Sequence, residues 1–191
     1  MALARESCQG FCIFEGMKRI FAISGSTRTH STNGLYIEAI AGLARDIFTV
    51  NIFDGLADLP HFNPDLDNEH PPASVAAFRQ LIREADGVLI CTPEYAMGVP
   101  GSLKNAIDWT VSSSDFSQKP VALVTASSSG LKGHASLLET LRVIEAKMTE
   151  ETALVISYAR TKITETGEIK PGETLEKVQT LIEGLAKAIG N

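Results

Sequence analysis

The sequence contains no long hydrophobic run and few cysteines. Its longest apolar stretches, Val88–Cys91 and Val121–Val124, have the length of strands, and a bilayer span needs roughly 20 residues. The cysteines, Cys8, Cys12 and Cys91, match neither a zinc motif nor a disulfide framework, which favours a reducing compartment. We therefore predict a cytoplasmic protein without a membrane span or a metal site.

Positive charge is also scarce. Lys and Arg number 17 against 23 Asp and Glu, which leaves a net charge of −6. Nucleic-acid-binding domains usually carry a basic face, and anionic membranes attract basic segments. These two classes of partner are therefore disfavoured, and we expect a small-molecule partner.

The length of 191 residues is that of one domain. Residues 1–16 precede the first strand-like run and lack the apolar core and cleavage site of a secretory signal. We expect 1–16 to be a leader or an expression-derived segment with poor order. Residues 17–191 are expected to form a single domain.

Five short apolar runs alternate with five segments of helical periodicity. The strand-like runs are apolar throughout, which is typical of strands buried on both faces. This alternation predicts an α/β fold in which helices cover both faces of a parallel sheet. Ligands of such sheets bind beyond the carboxyl ends of the strands. The predicted strands are 20–23, 47–53, 87–91, 121–126 and 153–158, and the predicted helices are 33–45, 75–85, 103–111, 137–148 and 175–189.

The loop after the first strand, residues 24–34, carries six hydroxyl side chains. It leads into a helix, whose N-terminal N–H groups favour phosphate, and a guanidinium can bind phosphate with two hydrogen bonds. Neither the dinucleotide fingerprint nor the P-loop motif is present. The alternative is that Ser31, Thr32 or Asn33 simply caps the helix. The candidate phosphate-binding residues are Ser26, Thr27, Arg28, Ser31, Thr32 and Asn33.

The loop after the third strand reads TPEYAMGVPGSLKNAIDW from Thr92 to Trp109. Its prolines and glycines define an unusual backbone path against which a planar ligand could lie, with Tyr95 and Met97 as walls. The alternative is an ordinary rigid turn between strand and helix. We expect Trp109 to pack against a helix or a second subunit, and Cys91 to act as a small buried hydrophobic residue.

These two loops resemble the NADPH-dependent FMN reductases. Residues 92–109 are similar to the family signature T-P-E-Y-N-x-x-x-P-G-x-L-K-N-A-I-D-W, and residues 25–33 are similar to its phosphate loop, G-S-x-R-x-x-S-x-N. The resemblance covers about 17–191. It implies a flavodoxin-like three-layer sandwich with a five-stranded parallel sheet in the order 2-1-3-4-5.

The resemblance also implies positions for bound FMN. Ser26, Arg28, Ser31 and Asn33 would hold its phosphate, and the loop after the fourth strand would border the pyrimidine edge of the flavin. At position 96 the family usually has Asn, so Ala96 preserves only a backbone contact. The implied ring contacts are Pro93, Glu94, Tyr95 and Ala96 in the second loop, and Ser127, Ser128 and Gly130 in the third.

The activity implied by the resemblance is hydride transfer from NADPH or NADH through FMN to quinones, chromate, azo dyes or nitro compounds, in a homodimer or homotetramer. No catalytic acid or base is predicted, because the flavin carries the chemistry. The alternatives are a flavodoxin-type electron carrier, a redox-sensing flavoprotein and a nucleotide-binding protein without flavin. A hydrolase with His134 and a serine is disfavoured because G-x-S-x-G is absent.

Overall fold

Residues 16–190 are described by a computed structural model and form a five-stranded parallel sheet between two helical layers. The strand order is β2-β1-β3-β4-β5, which confirms the predicted flavodoxin-like fold. The predicted leader lies outside the described residues apart from Gly16. The elements are β1 Lys18–Ser24, α1 Thr32–Leu43, β2 Phe48–Phe53, α2 Ala73–Glu84, β3 Gly87–Thr92, α3 Gly101–Asp108, β4 Val121–Ala126, α4 Leu131–Val143, β5 Ala153–Ile156 and α5 Glu173–Gly190.

The central strands are buried on both faces. Every residue of β3 and β4 is buried, as expected for parallel strands covered by helices. Alternate strand residues contribute to two separate cores: Ala22 belongs to the core with α1 and α5, and Phe21 to the core with α2, α3 and α4. Between Gly16 and Gly190, no helix has the length and apolar composition needed to cross a membrane.

Several predicted boundaries differ from the structure, and the largest difference is at α4, which spans Leu131–Val143 and not the predicted 137–148. Helix α4 begins at Leu131, six residues before the predicted start, because Gly130 adopts a φ of 90° and provides the turn into the helix. Strand β5 ends at Ile156, before the predicted end at residue 158, and Tyr158 has a left-handed φ of 53° that no strand residue adopts.

The long connection between β2 and α2 contains two short 3₁₀ helices, Gly55–Asp58 and Pro64–Leu66. Hydrogen bonds from α3 and from Trp109, the residue that follows it, fix the middle of this connection. The Asn105 side chain accepts a hydrogen bond from the Phe62 N–H at 2.7 Å and donates one to the Pro60 carbonyl at 3.0 Å. The indole of Trp109 is fully buried and donates to the same carbonyl at 2.8 Å. This confirms the predicted packing role of Trp109.

Candidate functional site

A cavity of about 450 Å³ opens at the carboxyl edge of the sheet, within the range of about 300–1,000 Å³ usual for small-molecule sites. The three predicted loops meet there, and the loop after β5 joins them. Its lining residues are Ser26, Arg28, Ser31, Thr32, Asn33, Pro93, Glu94, Tyr95, Ala126, Ser127, Ser128, Tyr158, Ala159, Arg160 and Thr161.

The first loop lies directly against the end of β3. The Gly25 N–H donates a hydrogen bond to the Cys91 carbonyl at 2.8 Å. A Cβ at position 25 would be only 2.2 Å from Oγ1 of Thr92, a distance that no real contact allows. Glycine is therefore required here, and it brings the hydroxyl-rich segment to the end of the neighbouring strand.

Helix capping accounts for only part of the first loop. Ser31 is the N-cap of α1, and its Oγ accepts a hydrogen bond from the Gly34 N–H at 2.9 Å. This decides the capping alternative in favour of Ser31. Ser26, Arg28 and Thr32 still line the cavity, so the loop retains donors for a ligand after the helix is capped.

The second loop forms a tight hairpin turn at its tip. Tyr95 and Gly98 exchange backbone hydrogen bonds of 3.1 and 2.9 Å. Ala96 and Met97 between them have φ values of 49° and 61°, as in a type I′ turn. Tyr95 lines the cavity, while Met97 at the tip is 75% exposed. The turn thus places apolar surface at the rim of the site.

Glu94 connects the second loop to the third. Its carboxylate accepts a hydrogen bond from the Gly133 N–H at 2.6 Å, in the first turn of α4, and its own N–H donates to Oγ of Ser127 at 3.3 Å. An acidic side chain at a helix N-terminus also interacts favourably with the helix dipole. Glu94 therefore sets the spacing of the two loops that flank the cavity.

The loop after β5 is tied to the third loop by its backbone. Tyr158 and Ala159 donate hydrogen bonds of 3.0 Å each to the carbonyls of Ser128 and Ser127. The Tyr36 hydroxyl donates to the Ala159 carbonyl at 3.0 Å, and burial raises the pKa of that phenol above its usual value. These bonds fix the 3₁₀ helix Ala159–Thr161 beside the cavity.

His134 and Cys91 are both buried, and neither lines the cavity. Nδ1 of the buried His134 is 2.8 Å from Oγ1 of Thr125, and burial lowers its pKa, so the imidazole is neutral near pH 7. Cys91 is fully buried, and burial raises the pKa of its thiol. Both observations agree with the expectation that neither residue is a nucleophile or its base.

Comparison with known proteins identifies the family. Residues 18–161 match the family model described as NADPH-dependent FMN reductase. The chain belongs to this family. The quinone reductase of Escherichia coli (strain K12) is 35% identical over 166 residues, which are 83% of this chain and 88% of that protein. A 2-hydroxy-1,4-benzoquinone reductase from Burkholderia sp is 32% identical over 175 residues, 88% and 94% of the two chains.

A solved structure supports the same conclusion. The flavoenzyme NAD(P)H:(acceptor) oxidoreductase FerB from Paracoccus denitrificans superposes with a TM-score of 0.81 at 26% identity, covering 91% of this chain and 98% of FerB. The family, the oxidoreductase class, the FMN cofactor and the nicotinamide co-substrate predicted from the sequence are thereby confirmed.

The cavity of this NADPH-dependent FMN reductase suits the chemistry of FMN. Hydroxyl groups and the guanidinium of Arg28 are the donors that a phosphate requires. Pro93, Tyr95 and Ala126 supply apolar wall for a flat ring. Arg28 brings a positive charge to this cavity of an acidic chain. The donor set and the wall therefore fit a ligand with an anionic end and a planar end.

Ten of the thirteen residues predicted from the sequence line the cavity, and Thr27, Ala96 and Gly130 do not. Thr27 is an exposed residue of the first loop, and Ala96 is at the tip of the hairpin turn. Gly130 is buried against Thr125 and Val155. These three remain predictions as cofactor contacts, since a backbone contact does not require a place in the lining.

The sequence did not predict the contribution of the loop after β5. Tyr158, Ala159, Arg160 and Thr161 line the cavity, although the predicted fifth strand ends at residue 158 and no predicted site residue follows it. No motif marks them. The available signal was the parallel topology, which places the carboxyl end of β5 at the same edge of the sheet as those of β3 and β4.

Proposed function

We propose that this chain binds FMN in the cavity of about 450 Å³ and uses NADPH or NADH to reduce quinones. The observation that carries the proposal is the meeting of two surfaces in one cavity. One is the hydroxyl-rich loop with Arg28, and the other is the wall formed by Pro93 and Tyr95. A phosphate and a planar ring on one molecule match this pair of surfaces.

In this arrangement Ser26, Arg28 and Thr32 bind the phosphate, while Pro93, Glu94 and Tyr95 lie along the ring. Bound FMN supplies the hydride acceptor and donor. The protein binds and orients it, and no side chain needs to act as an acid or base. Glu94 serves mainly through its bond to Gly133, which holds the second and third loops at a constant separation.

The third loop provides backbone donors for the pyrimidine edge of the ring. The Ser127 N–H is already bonded to the Ile156 carbonyl at 3.2 Å. The Ser128 N–H has no acceptor among residues 16–190, so it is the donor we assign to the negative charge that develops on the reduced ring. Preorganised N–H groups stabilise such charge without reorganisation.

Quinones are the acceptors that we favour. They are flat and uncharged, and the exposed apolar surface of Tyr95 and Met97 at the rim suits them. Two of the relatives are named as quinone reductases or benzoquinone reductases. Chromate, azo dyes and nitro compounds are further acceptors of the same hydride.

We further propose a homodimer or homotetramer in the cytoplasm. Met97 is exposed at the rim of the cavity, as is Tyr158, with 71% of its surface accessible. Large apolar side chains in such positions favour burial against a second subunit. The absence of a disulfide-type cysteine pattern in the sequence supports a reducing compartment.

The experiment that tests the function is an absorption spectrum of the purified protein reconstituted with FMN, followed by anaerobic addition of NADPH. We expect the yellow absorption of bound FMN to disappear rapidly after NADPH is added and to return when a quinone is added. A protein that binds FMN but consumes neither NADPH nor NADH would contradict the enzyme proposal and favour an electron carrier or a redox sensor. A colourless protein that ignores added FMN would contradict the flavin site itself.

A further inference from the structure

The arginines of the described chain divide into two groups. Residues 16–190 contain seven arginines, and five of them form ion pairs with carboxylates. Arg28 and Arg160 have no hydrogen bond or ion pair from their guanidinium groups to any other residue of that range. The six ion pairs of these five arginines are Arg19–Asp86, Arg45–Asp46, Arg79–Asp67, Arg79–Asp115, Arg83–Asp115 and Arg142–Glu139.

The two unpaired arginines line the same cavity. Acidic residues outnumber basic ones in this chain, 23 to 17, so a carboxylate partner is available to most arginines. Two guanidinium groups left unpaired at one site are therefore positioned for anions that the protein does not itself provide. Arginine binds phosphate oxygens with two parallel hydrogen bonds.

Arg28 and Arg160 are carried by different elements. Arg28 belongs to the loop after β1, which the proposed function assigns to the FMN phosphate. Arg160 belongs to the 3₁₀ helix Ala159–Thr161 after β5, which is fixed through the Tyr36 and Ser127 hydrogen bonds to Ala159. The backbone that carries Arg160 is thus held at the cavity by hydrogen bonds to α1 and to the loop after β4.

The backbone next to Arg160 is also held in a costly conformation. Tyr158 has a φ of 53°, a left-handed conformation that costs an ordinary residue roughly 1–2 kcal/mol. Its N–H is bonded to the Ser128 carbonyl at 3.0 Å. Strained residues of this kind persist where the surrounding structure holds them and are concentrated at ligand sites.

We propose that Arg160 binds a phosphate group of the nicotinamide dinucleotide. This inference rests on the proposed function. FMN carries one phosphate, for which Arg28 and the first loop suffice, and quinones carry none. The dinucleotide adds a pyrophosphate, and NADPH a further 2′-phosphate, so it is the reactant with anionic groups that lack a partner.

The assignment makes Arg160 specific to one half of the reaction. Bound FMN would supply the chemistry of both halves: in the first half the dinucleotide would deliver hydride to the site, and in the second half the quinone would remove it. Arg160 lowers the free energy of the dinucleotide complex alone. Its removal is therefore expected to weaken the first half-reaction and to leave FMN binding and quinone reduction unchanged.

The test compares Arg160→Ala and Arg160→Lys with Arg45→Ala, a control that removes an exposed arginine paired with Asp46. Steady-state rates are measured with NADPH and with NADH at saturating quinone, and the Kd for FMN by fluorescence. We expect Arg160→Ala to raise the KM for the dinucleotide about tenfold with little change in kcat, the size of one lost charge-assisted hydrogen bond. Arg160→Lys should recover part of this loss.

The KM values of Arg160→Ala for NADPH and for NADH show which phosphate of the dinucleotide Arg160 binds. A rise in KM for NADPH alone would assign Arg160 to the 2′-phosphate, and an equal rise for both would assign it to the pyrophosphate. Both results support the proposal. As an independent readout, enzyme reduced with dithionite should be reoxidised by quinone at the wild-type rate in Arg160→Ala.

Three results would overturn the proposal. The first is an unchanged KM of Arg160→Ala for both dinucleotides. The second is a Kd for FMN that rises in Arg160→Ala as much as in Arg28→Ala, because this would place both arginines on the FMN phosphate. A slower reoxidation by quinone is the third. Failure of the wild-type protein to bind FMN would refute the proposed function directly and this inference with it, whereas the three results above leave the proposed function standing.

Discussion

The Glu94 carboxylate lies 2.6 Å from the backbone nitrogen of Gly133, although the two residues are 39 positions apart in the chain. The contact joins the loop after β3 to the first turn of α4. A carboxylate at this position satisfies an N–H that the helix itself leaves unpaired. The width of the proposed flavin site therefore depends on one side chain, which the sequence predicted as a ring contact that shapes the site.

We expect Glu94→Ala to lower the free energy of unfolding by about 1–3 kcal/mol, the usual effect of leaving a partly buried N–H without its charged acceptor, and to raise the Kd for FMN. Urea denaturation and fluorescence titration measure the two effects. Glu94→Gln retains an acceptor oxygen and should recover most of both. An equal loss in the two variants would show that the hydrogen bond to Gly133 does not organise the site.

Gly133→Ala tests the same contact from the helix. A Cβ at position 133 would lie 3.0 Å from the Gly98 carbonyl oxygen and 3.1 Å from Cγ of Glu94, so these neighbours must shift by a few tenths of an ångström. We expect a loss of stability of about 1–3 kcal/mol, as in other overpacked positions, and weaker FMN retention on gel filtration. Gly101→Ala is the matched control, because a Cβ there meets no atom within 4 Å; an identical result for the two variants would refute the prediction.

Ala96→Asn addresses the position where this chain departs from the family signature. Ala96 has a φ of 49°, a conformation in which an ordinary residue loses roughly 1–2 kcal/mol and which Asn tolerates better. We expect the substitution to raise the free energy of unfolding by up to about 1 kcal/mol, measured by urea denaturation. Ala41→Asn, within α1, should instead destabilise, because Asn is a poor helix former. If Ala96→Asn does not raise the free energy of unfolding, the left-handed conformation at position 96 does not destabilise the turn.

Arg28→Ala is expected to weaken FMN binding about tenfold, the loss of one charge-assisted contact to phosphate, and to leave riboflavin binding unchanged. Riboflavin has the same ring and lacks the phosphate, so fluorescence titration with both ligands separates the two parts of the site. Arg45→Ala, remote and exposed, is the control. Equal losses for FMN and riboflavin would contradict the assignment of Arg28 to the phosphate.

The parts of the fold that could be predicted from the sequence are those determined by neighbouring residues. Strand β3 is apolar at nearly every position and buried at all of them, so its run predicted a central strand. The start of α4 was missed because the residues that its first turns bury are Gly133 and His134, which do not extend the apolar periodicity of Leu137 and Leu141. Gly130 begins that helix through a φ of 90°, which a lone glycine after three serines does not reveal.

The candidate site likewise has a part that the sequence predicts and a part that depends on tertiary contacts. Its first and second loops carry dense local motifs, and the residues predicted from them, except Thr27 and Ala96, line one cavity. The role that we propose for Arg160 depends on which other arginines form ion pairs with carboxylates, and that is a property of the folded chain alone. The capping of α4 by Glu94 likewise depends on tertiary proximity. Neither could be predicted from residue spacing.

The buried His134 makes stability depend on pH in a defined direction. Burial lowers its pKa below the usual 6.5, so the unfolded chain binds its proton at a higher pH than the folded protein does. The neutral His134 imidazole therefore contributes fully to stability above pH 6.5. This contribution is lost as the pH falls toward the lower pKa of the folded protein. We expect the urea midpoint of the wild type to decrease as the pH is lowered from about 7.5 to about 5.5. In His134→Gln part of that decrease should be absent. His30→Gln, in an exposed loop, should retain the wild-type dependence, and a His134→Gln profile parallel to that of the wild type would contradict the prediction.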